Sequence, residues 1–383
     1  MLNKIVFPNY ERCILNSINS ILKYYNVETN HKSLKCLDEK LQNQYRNVVF
    51  IILDGLGEHI LKKASPEGYF VKNKIDCLTS VYPSTTTAAL TTYYSGKPPY
   101  ETGWIAWSQY FKEYGRTIDM LPHKESYLGE DLSKAKINVF EALVKYKTVF
   151  EQIEEANSNV KAYEVMPKYS DRRAKRSITA DNINEIVDNI EMLCNNPEEK
   201  FIMAYSDNPD GLLHKYGTKS EEVEKFVKYA ETKIKELADK VSDDTIIIIS
   251  ADHGHKDIEK VYSILDYPEI IECLYMPVSL ESREVAFFVK ENMKKEFEER
   301  FNKIFKEEFL LMSKEDFLEK HLLGNGEKHA KIDDFLGNYI ALSISSSIIK
   351  IESYLGEAKS TKKSTHCGLS EEEMEVPLIV LKK

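Results

Sequence analysis

Three runs of apolar, mostly β-branched residues each end in a carboxylate with glycine close behind. They are "NVVFIILDGLG" at 47–57, "KFIMAYSDNPDG" at 200–211 and "DDTIIIISADHGH" at 243–255. A short run without polar alternation is what a strand buried on both faces requires. Helical patterns lie between the runs. The clearest is 221–240, where Val223, Phe226, Val227, Ala230, Ile234 and Leu237 recur at helical spacing. Strands alternating with helices predict an α/β fold with a mostly parallel central sheet and helices on both faces. Such sheets bind ligands beyond the carboxyl ends of their strands. Asp54, Asp207 or Asp210, and Asp252 are therefore expected along one edge.

The rest of the chain is organised around this sheet. Ile14, Ile18, Ile21, Leu22 and Tyr25 share one face of a helix expected over 10–25. After Asp257 the character changes. "REVAFFVK" reads as a strand, and "ENMKKEFEERFNKIFKEE" as a helix with Met293, Phe297, Phe301, Ile304 and Phe305 on one face. "SKEDFLEKHLLG" reads as a short helix opened by a capping serine, and "GNYIALSI" returns as a strand. This pattern divides the chain into a catalytic core, 1–257 with 336–383, and a small α+β insert or cap at 258–335.

Composition narrows the function. A formal net charge of -10 disfavours a nucleic acid polymer as partner, because phosphate backbones are held by basic faces. Small phosphorylated substrates remain open, since a bound cation supplies positive charge locally. The six cysteines form no C-x-x-C pair, which argues for reduced thiols and a cytoplasmic location. No apolar run is long enough for a membrane span or a signal peptide. Oligomeric state is not legible.

The ligand-type residues gain meaning jointly. Asp54 alone is more often a turn residue at a strand end. Asp210 and His214 stand four apart, so on a helix they share a face, a spacing that also arises by chance. Asp252 and His253 end a strand where glycine permits close approach. His366 in "STHCGLS" is, alone, more often incidental. Carboxylate and imidazole together are the donors that zinc and similar ions accept. Two sets emerge: Asp54, Asp252 and His253 for one ion, and Asp210, His214 and His366 for another. Two ions about 4 Å apart suit displacement at phosphorus. They also answer what the threonines in "VYPSTTTAALTTYYSG" do. A metal-bound hydroxyl loses its proton readily, and a helix beginning at Thr86 or Thr87 would favour the resulting anion.

Five segments, "VVFIILDGLG", "YPSTTTAALTTYYSGKPPYETGW", "SDNPDGLLHKYG", "SADHGH" and "STHCGLS", in this order resemble the type I phosphodiesterase/nucleotide pyrophosphatase family of the alkaline phosphatase superfamily. The resemblance implies two zinc ions, with manganese or another divalent ion as the substitute, and a threonine nucleophile that falls on Thr86. Asp54, Asp252 and His253 match the ligands of the ion that also holds Thr86. Asp210, His214 and His366 match those of the other ion. One departure stands out: the family's pattern has asparagine three residues after the nucleophile, where this chain has Ala89.

The implied activity is hydrolysis of a phosphodiester or pyrophosphate bond in a small substrate, a nucleotide being one candidate, through a phosphothreonine. Hydrolysis of a phosphonate or phosphomonoester at the same site is the alternative. A noncatalytic binder of phosphorylated metabolites is a third reading, disfavoured because a binder has no use for an activated threonine. A sulfatase is excluded by the absence of its C/S-x-P-x-R motif. Two further features stay open. His255 either orients a ligand or lies on the surface. Trp104, Trp107, Tyr110 and Phe111 either stack on a substrate or, more often for such clusters, pack in the core.

Overall fold

The computed structural model describes residues 5–132, 138–170, 172–350 and 362–382. Its centre is the strand Asn47–Leu53, every residue of which is buried. Val48, Val49, Ile51 and Ile52 suit a pleated surface with neighbours on both sides. This strand pairs in parallel with Lys200–Ser206 on one side and Thr245–Ser250 on the other. Lys161–Met166 and Arg176–Thr179 extend the sheet in parallel beyond Lys200–Ser206. On the other edge Glu375–Leu381 runs antiparallel to both Thr245–Ser250 and Lys74–Thr79. The seven-stranded sheet is thus mixed: four pairings are parallel, and the two that Glu375–Leu381 makes are antiparallel.

A second seven-stranded sheet lies outside the central one, and every pairing in it is antiparallel. It draws on two stretches of chain. Ser108–Phe111, Arg116–Asp119 and Lys124–Glu125 come from one; Ser279–Leu280, Glu284–Phe287, Phe309–Ser313 and Tyr339–Ser343 come from the other. Residues 258–335 therefore supply part of this sheet.

The helical patterns follow the sequence closely. Helix Ile14–Tyr24 buries Ile14, Ile18, Ile21 and Leu22. Helix Glu221–Lys240 is capped by Ser220 and buries Val223, Val227, Ala230, Ile234 and Leu237. Helix Lys294–Phe305 buries Phe297, Phe301 and Phe305, whose rings meet at 5.7 and 4.9 Å. Side chains four residues apart meet on one helical face, and the three rings form the ridge that packs on the second sheet. Ser313 caps Lys314–Glu319 by accepting from the Asp316 amide.

Replacing Phe301 by alanine removes a fully buried ring from this ridge. The expected loss is about 3–5 kcal/mol, measured as a lowered urea midpoint. A midpoint equal to wild type would contradict the packing described.

Candidate active site

The parallel strands deliver their carboxylates to one edge. Asp54 follows Asn47–Leu53 directly, Asp252 lies two residues past Thr245–Ser250, and Asp210 opens the helix Asp210–Tyr216 after Lys200–Ser206. Glycine lets these turns approach one another. A Cβ at Gly254 would stand 2.0 Å from the Glu372 carbonyl oxygen. One at Gly55, where φ is +74°, would stand 3.0 Å from Asp210 Cα. His366 arrives by a different route. Ser364–Thr365 pairs antiparallel with Lys256–Asp257, so the turn after it lies over His253 and His255. That turn is fastened below by the Gly368 amide, which donates to Glu373 at 2.7 Å, and Glu373 is itself in a buried ion pair with Arg283. Cys367, next to His366, is held at φ +87°, a strained conformation for a residue with a side chain.

Asp54, Asp252 and His253 converge on one point. The Tyr205 hydroxyl donates to Asp54 Oδ2. The amides of Gly55 and His253 donate to Asp252 Oδ1, each at 3.0 Å. The other oxygens, Asp54 Oδ1 and Asp252 Oδ2, are buried without a hydrogen-bond partner among the described residues. Both face His253 Nε2, at 3.4 and 3.3 Å. Thr86 is the first residue of the helix Thr86–Ser95. Its Oγ1 lies 3.1 Å from the same nitrogen and 3.5 Å from Asp54 Oδ2.

The imidazole tautomers decide what can sit there. His214 Nδ1 meets the Ser364 carbonyl at 2.7 Å, His253 Nδ1 the Gly254 carbonyl at 3.1 Å, and His366 Nδ1 the Ser84 carbonyl at 3.2 Å. A carbonyl only accepts, so each Nδ1 carries the hydrogen. His255 Nδ1 lies 3.0 Å from Ser364 Oγ, whose own proton goes to the Leu213 carbonyl; it too is the donor. In the neutral ring every Nε2 is then a bare lone pair. Burial favours that neutral form: it drives His366 well below its ordinary pKa, His255 down to about 3, and His214 in the same direction. Lone pairs aimed at carboxylate oxygens repel unless a cation lies between them, and donating the other ring nitrogen to a protein oxygen is how metal-ligating histidines are held. The residues present fit divalent cations.

Within 4.8 Å of one another the structure gathers Asp54, Asp252 and His253, and a second group of Asp210, His253, His255 and His366. The first is the set expected from sequence. The second brings together Asp210 and His366, and it includes His255, which the sequence left undecided. His255 is buried, with Nε2 2.5 Å from Asp210 Oδ1. His214 stands at the rim. Its Nε2 is 3.4 Å from Asp210 Oδ1 and 3.1 Å from Lys362 Nζ, and its ring centroid is 4.8 Å from that of His255. Asp207, the other candidate at that strand end, accepts from the Tyr169 hydroxyl at 2.7 Å instead. Burial, reinforced by Asp252 and Asp210, pushes the Asp54 carboxyl well above the ordinary range, and burial raises Asp252 as well.

Beside Thr86 opens a cavity of about 410 Å³, reached by Asp54, Asp210, Trp104 and Trp107. The four aromatics thus divide. Trp104 and Trp107 line the cavity, whereas Tyr110 packs on Phe288 and Phe111 on Phe335. Ala89 is fully buried. Thr87 Oγ1, also buried and without a partner among the described residues, belongs to a residue that lines the cavity.

The family model for type I phosphodiesterase/nucleotide pyrophosphatase matches residues 48–280. No curated protein matches the chain. Among solved structures, murine ectonucleotide pyrophosphatase/phosphodiesterase 5 is 14% identical, with 86% of this chain and 87% of that one covered at a TM-score of 0.62. An inactive variant of the same murine protein, solved with AMP, is 15% identical, with 88% and 87% covered at 0.62. Phosphonoacetate hydrolase from Sinorhizobium meliloti 1021, in complex with phosphonoformate, is 15% identical, with 88% and 91% covered at 0.64. At such identities the likeness concerns the fold.

Carboxylate and imidazole bind a cation only in their deprotonated forms, so metal affinity increases with pH. Zinc added to chelator-treated protein is expected to raise the melting temperature more at pH 7.5 than at pH 5.5. An equal or larger gain at pH 5.5 would contradict this electrostatic picture.

Proposed function

Because the chain belongs to the type I phosphodiesterase/nucleotide pyrophosphatase family, we propose that it hydrolyses phosphodiester or pyrophosphate bonds through a phosphothreonine formed on Thr86. The carrying observation is that Thr86 Oγ1 faces the same point as His253 Nε2 and the Asp54 carboxylate. Asp54, Asp252, His253 and Thr86 would hold one zinc ion. Asp210 and His366, with His214 and His255 beside them, would hold a second. When bound, such ions lower the pKa of an alcohol and offset charge on phosphoryl oxygens.

The chain's own groups supply the rest. Thr86 heads a ten-residue helix, whose first amides favour an anion and a phosphoryl group at that end. Oγ1 attacks phosphorus as the P–O bond to the leaving alcohol breaks. Water then cleaves the phosphothreonine, releasing the phosphorylated product and restoring the hydroxyl. Thr87 Oγ1, buried and without a partner among the described residues, would supply the donor that the family's asparagine gives and Ala89 lacks. Glu281, from the segment 258–335, steadies the turn: its Oε1 accepts from Thr85 Oγ1 at 2.9 Å and from the Trp107 amide at 2.7 Å. The cavity favours an ester with an organic substituent over phosphonoacetate or a small phosphomonoester, since neither would fill it. A small phosphorylated metabolite is the substrate class. Six cysteines without disulfides agree with a reducing, cytoplasmic setting. Among the described residues no helix is long and apolar enough to cross a membrane.

Thr86→Ala is expected to abolish turnover of bis(4-nitrophenyl) phosphate in the zinc-loaded protein while metal content stays at about two ions per chain. Full activity in that variant would overturn the mechanism. Thr87→Val is expected to lower kcat on the order of 100-fold, with a smaller change in KM. Faster turnover of phosphonoacetate than of the diester would favour the phosphonate reading.

A further inference from the structure

One buried residue meets both turns that carry the candidate metal-ligating histidines. Glu373 is fully buried, and its backbone carbonyl accepts from the Gly254 amide at 2.8 Å. That bond holds the turn bearing His253 and His255. The Glu373 carboxylate accepts from the Gly368 amide at 2.7 Å, through Oε1. This second bond holds the turn bearing His366. The same turn reaches the segment before Thr86. Ser84 Oγ donates to the Gly368 carbonyl at 3.2 Å, and His366 Nδ1 donates to the Ser84 carbonyl at 3.2 Å.

The carboxylate is itself aimed. Arg283 Nε donates to Oε1 at 2.6 Å and Nη2 to Oε2 at 2.8 Å, while Ser370 Oγ donates to Oε2 at 2.6 Å. Arg283 also donates to the Ser345 and Ser347 carbonyls, at 2.7 and 3.0 Å. Neither side chain of the ion pair is exposed. The approach is close enough to require glycine: a Cβ at Gly368 would stand 2.6 Å from Arg283 Nη2 and 2.7 Å from Glu373 Oε2. Apolar side chains of similar volume often serve stability as well as a buried ion pair does. What they do not supply is a forked donor that fixes the plane of a carboxylate, and an oxygen left to accept from a neighbouring turn.

Resting on the proposed hydrolase reading, we propose that Glu373 is a positioning residue for that reaction. Aimed by Arg283, its carboxylate sets the 366–368 turn against the 253–255 turn that its own backbone holds. This fixes His366 Nε2 beside Asp210 Oδ1, at 3.8 Å, and in register with the turn that carries Thr86. Glu373 belongs to neither candidate metal group; it acts through the Gly368 amide.

Two double variants separate positioning from stability. The first, Arg283→Met with Glu373→Met, removes both charges and the acceptor for Gly368. The second, Arg283→Met with Glu373→Gln, removes the charges and keeps an acceptor oxygen. Zinc affinity is read by calorimetry in two backgrounds: Asp252→Asn, which disables the first metal group, and Asp210→Asn, which disables the second. In the Asp252→Asn background the first double variant is expected to weaken zinc by about 10–100-fold, the usual effect of losing a group that orients a ligand, and the second to retain most of the affinity. In the Asp210→Asn background neither should change it. Gly368→Ala, which crowds the turn away from an intact ion pair, should weaken the same site and serves where the first double variant does not fold. Undiminished zinc affinity, equal weakening in both backgrounds, or a second double variant no better than the first would overturn the inference. With bis(4-nitrophenyl) phosphate, the first double variant should need more zinc for half-maximal rate and regain its kcat when zinc saturates; an unchanged zinc requirement, or a rate that zinc does not restore, would also overturn it. No turnover by wild type, with the selective zinc loss intact, would fault the hydrolase reading and leave the positioning assignment standing.

Discussion

Lone pairs and carboxylate oxygens turned toward one another in a buried space are the constraint on which the site depends. His253 Nε2 faces Asp54 Oδ1 and Asp252 Oδ2, and His366 and His255 face Asp210 Oδ1. Away from water such groups repel strongly, and among the described residues no donor reaches Asp54 Oδ1 or Asp252 Oδ2. The protein spends hydrogen bonds from Gly55, Tyr205 and the His253 amide to hold the far sides of these carboxylates. It holds the histidines equally firmly through Nδ1. A cluster built this way gains its stability from cations, and it loses the repulsion when they bind.

The scaffold supplies the placement. Parallel pairing sets Asp54 beside the ends of the strands that carry Asp210 and Asp252, and the short antiparallel ladder from Lys256 to Thr365 brings His366 across from far along the chain. Thr86 enters on a helix that starts at the edge of the same cluster. Glu281 then joins the turn before Thr86 to the Trp107 backbone, linking the position of Thr86 to one wall of the cavity.

Much of this was legible because it is local. The strand ends at Asp54 and Asp252 are marked by uninterrupted apolar runs, and helices such as 221–240 by their period. What depended on pairing between distant segments was not. His255 gains its position from the ladder between residues 256–257 and 364–365, two residues a side. Tyr205 looked like one more apolar residue of a strand, yet its hydroxyl fixes Asp54. The strand Glu375–Leu381, whose antiparallel run makes the sheet mixed, went unread. Strands as short as Ser279–Leu280 carry too little pattern to reveal that the second sheet also recruits residues 108–125. The two tryptophans separate from Tyr110 and Phe111 only through tertiary contacts.

The central claim is that cations, and not protons, occupy the space between these side chains and touch Thr86. Anomalous diffraction at the zinc edge from crystals grown with zinc addresses it directly. The account predicts a peak about 2.0–2.2 Å from Asp54, Asp252, His253 and Thr86 Oγ1, the usual length of zinc–oxygen and zinc–nitrogen bonds, and a second beside Asp210 and His366. Density without an anomalous peak beside Thr86, at full zinc occupancy elsewhere in the crystal, would contradict it.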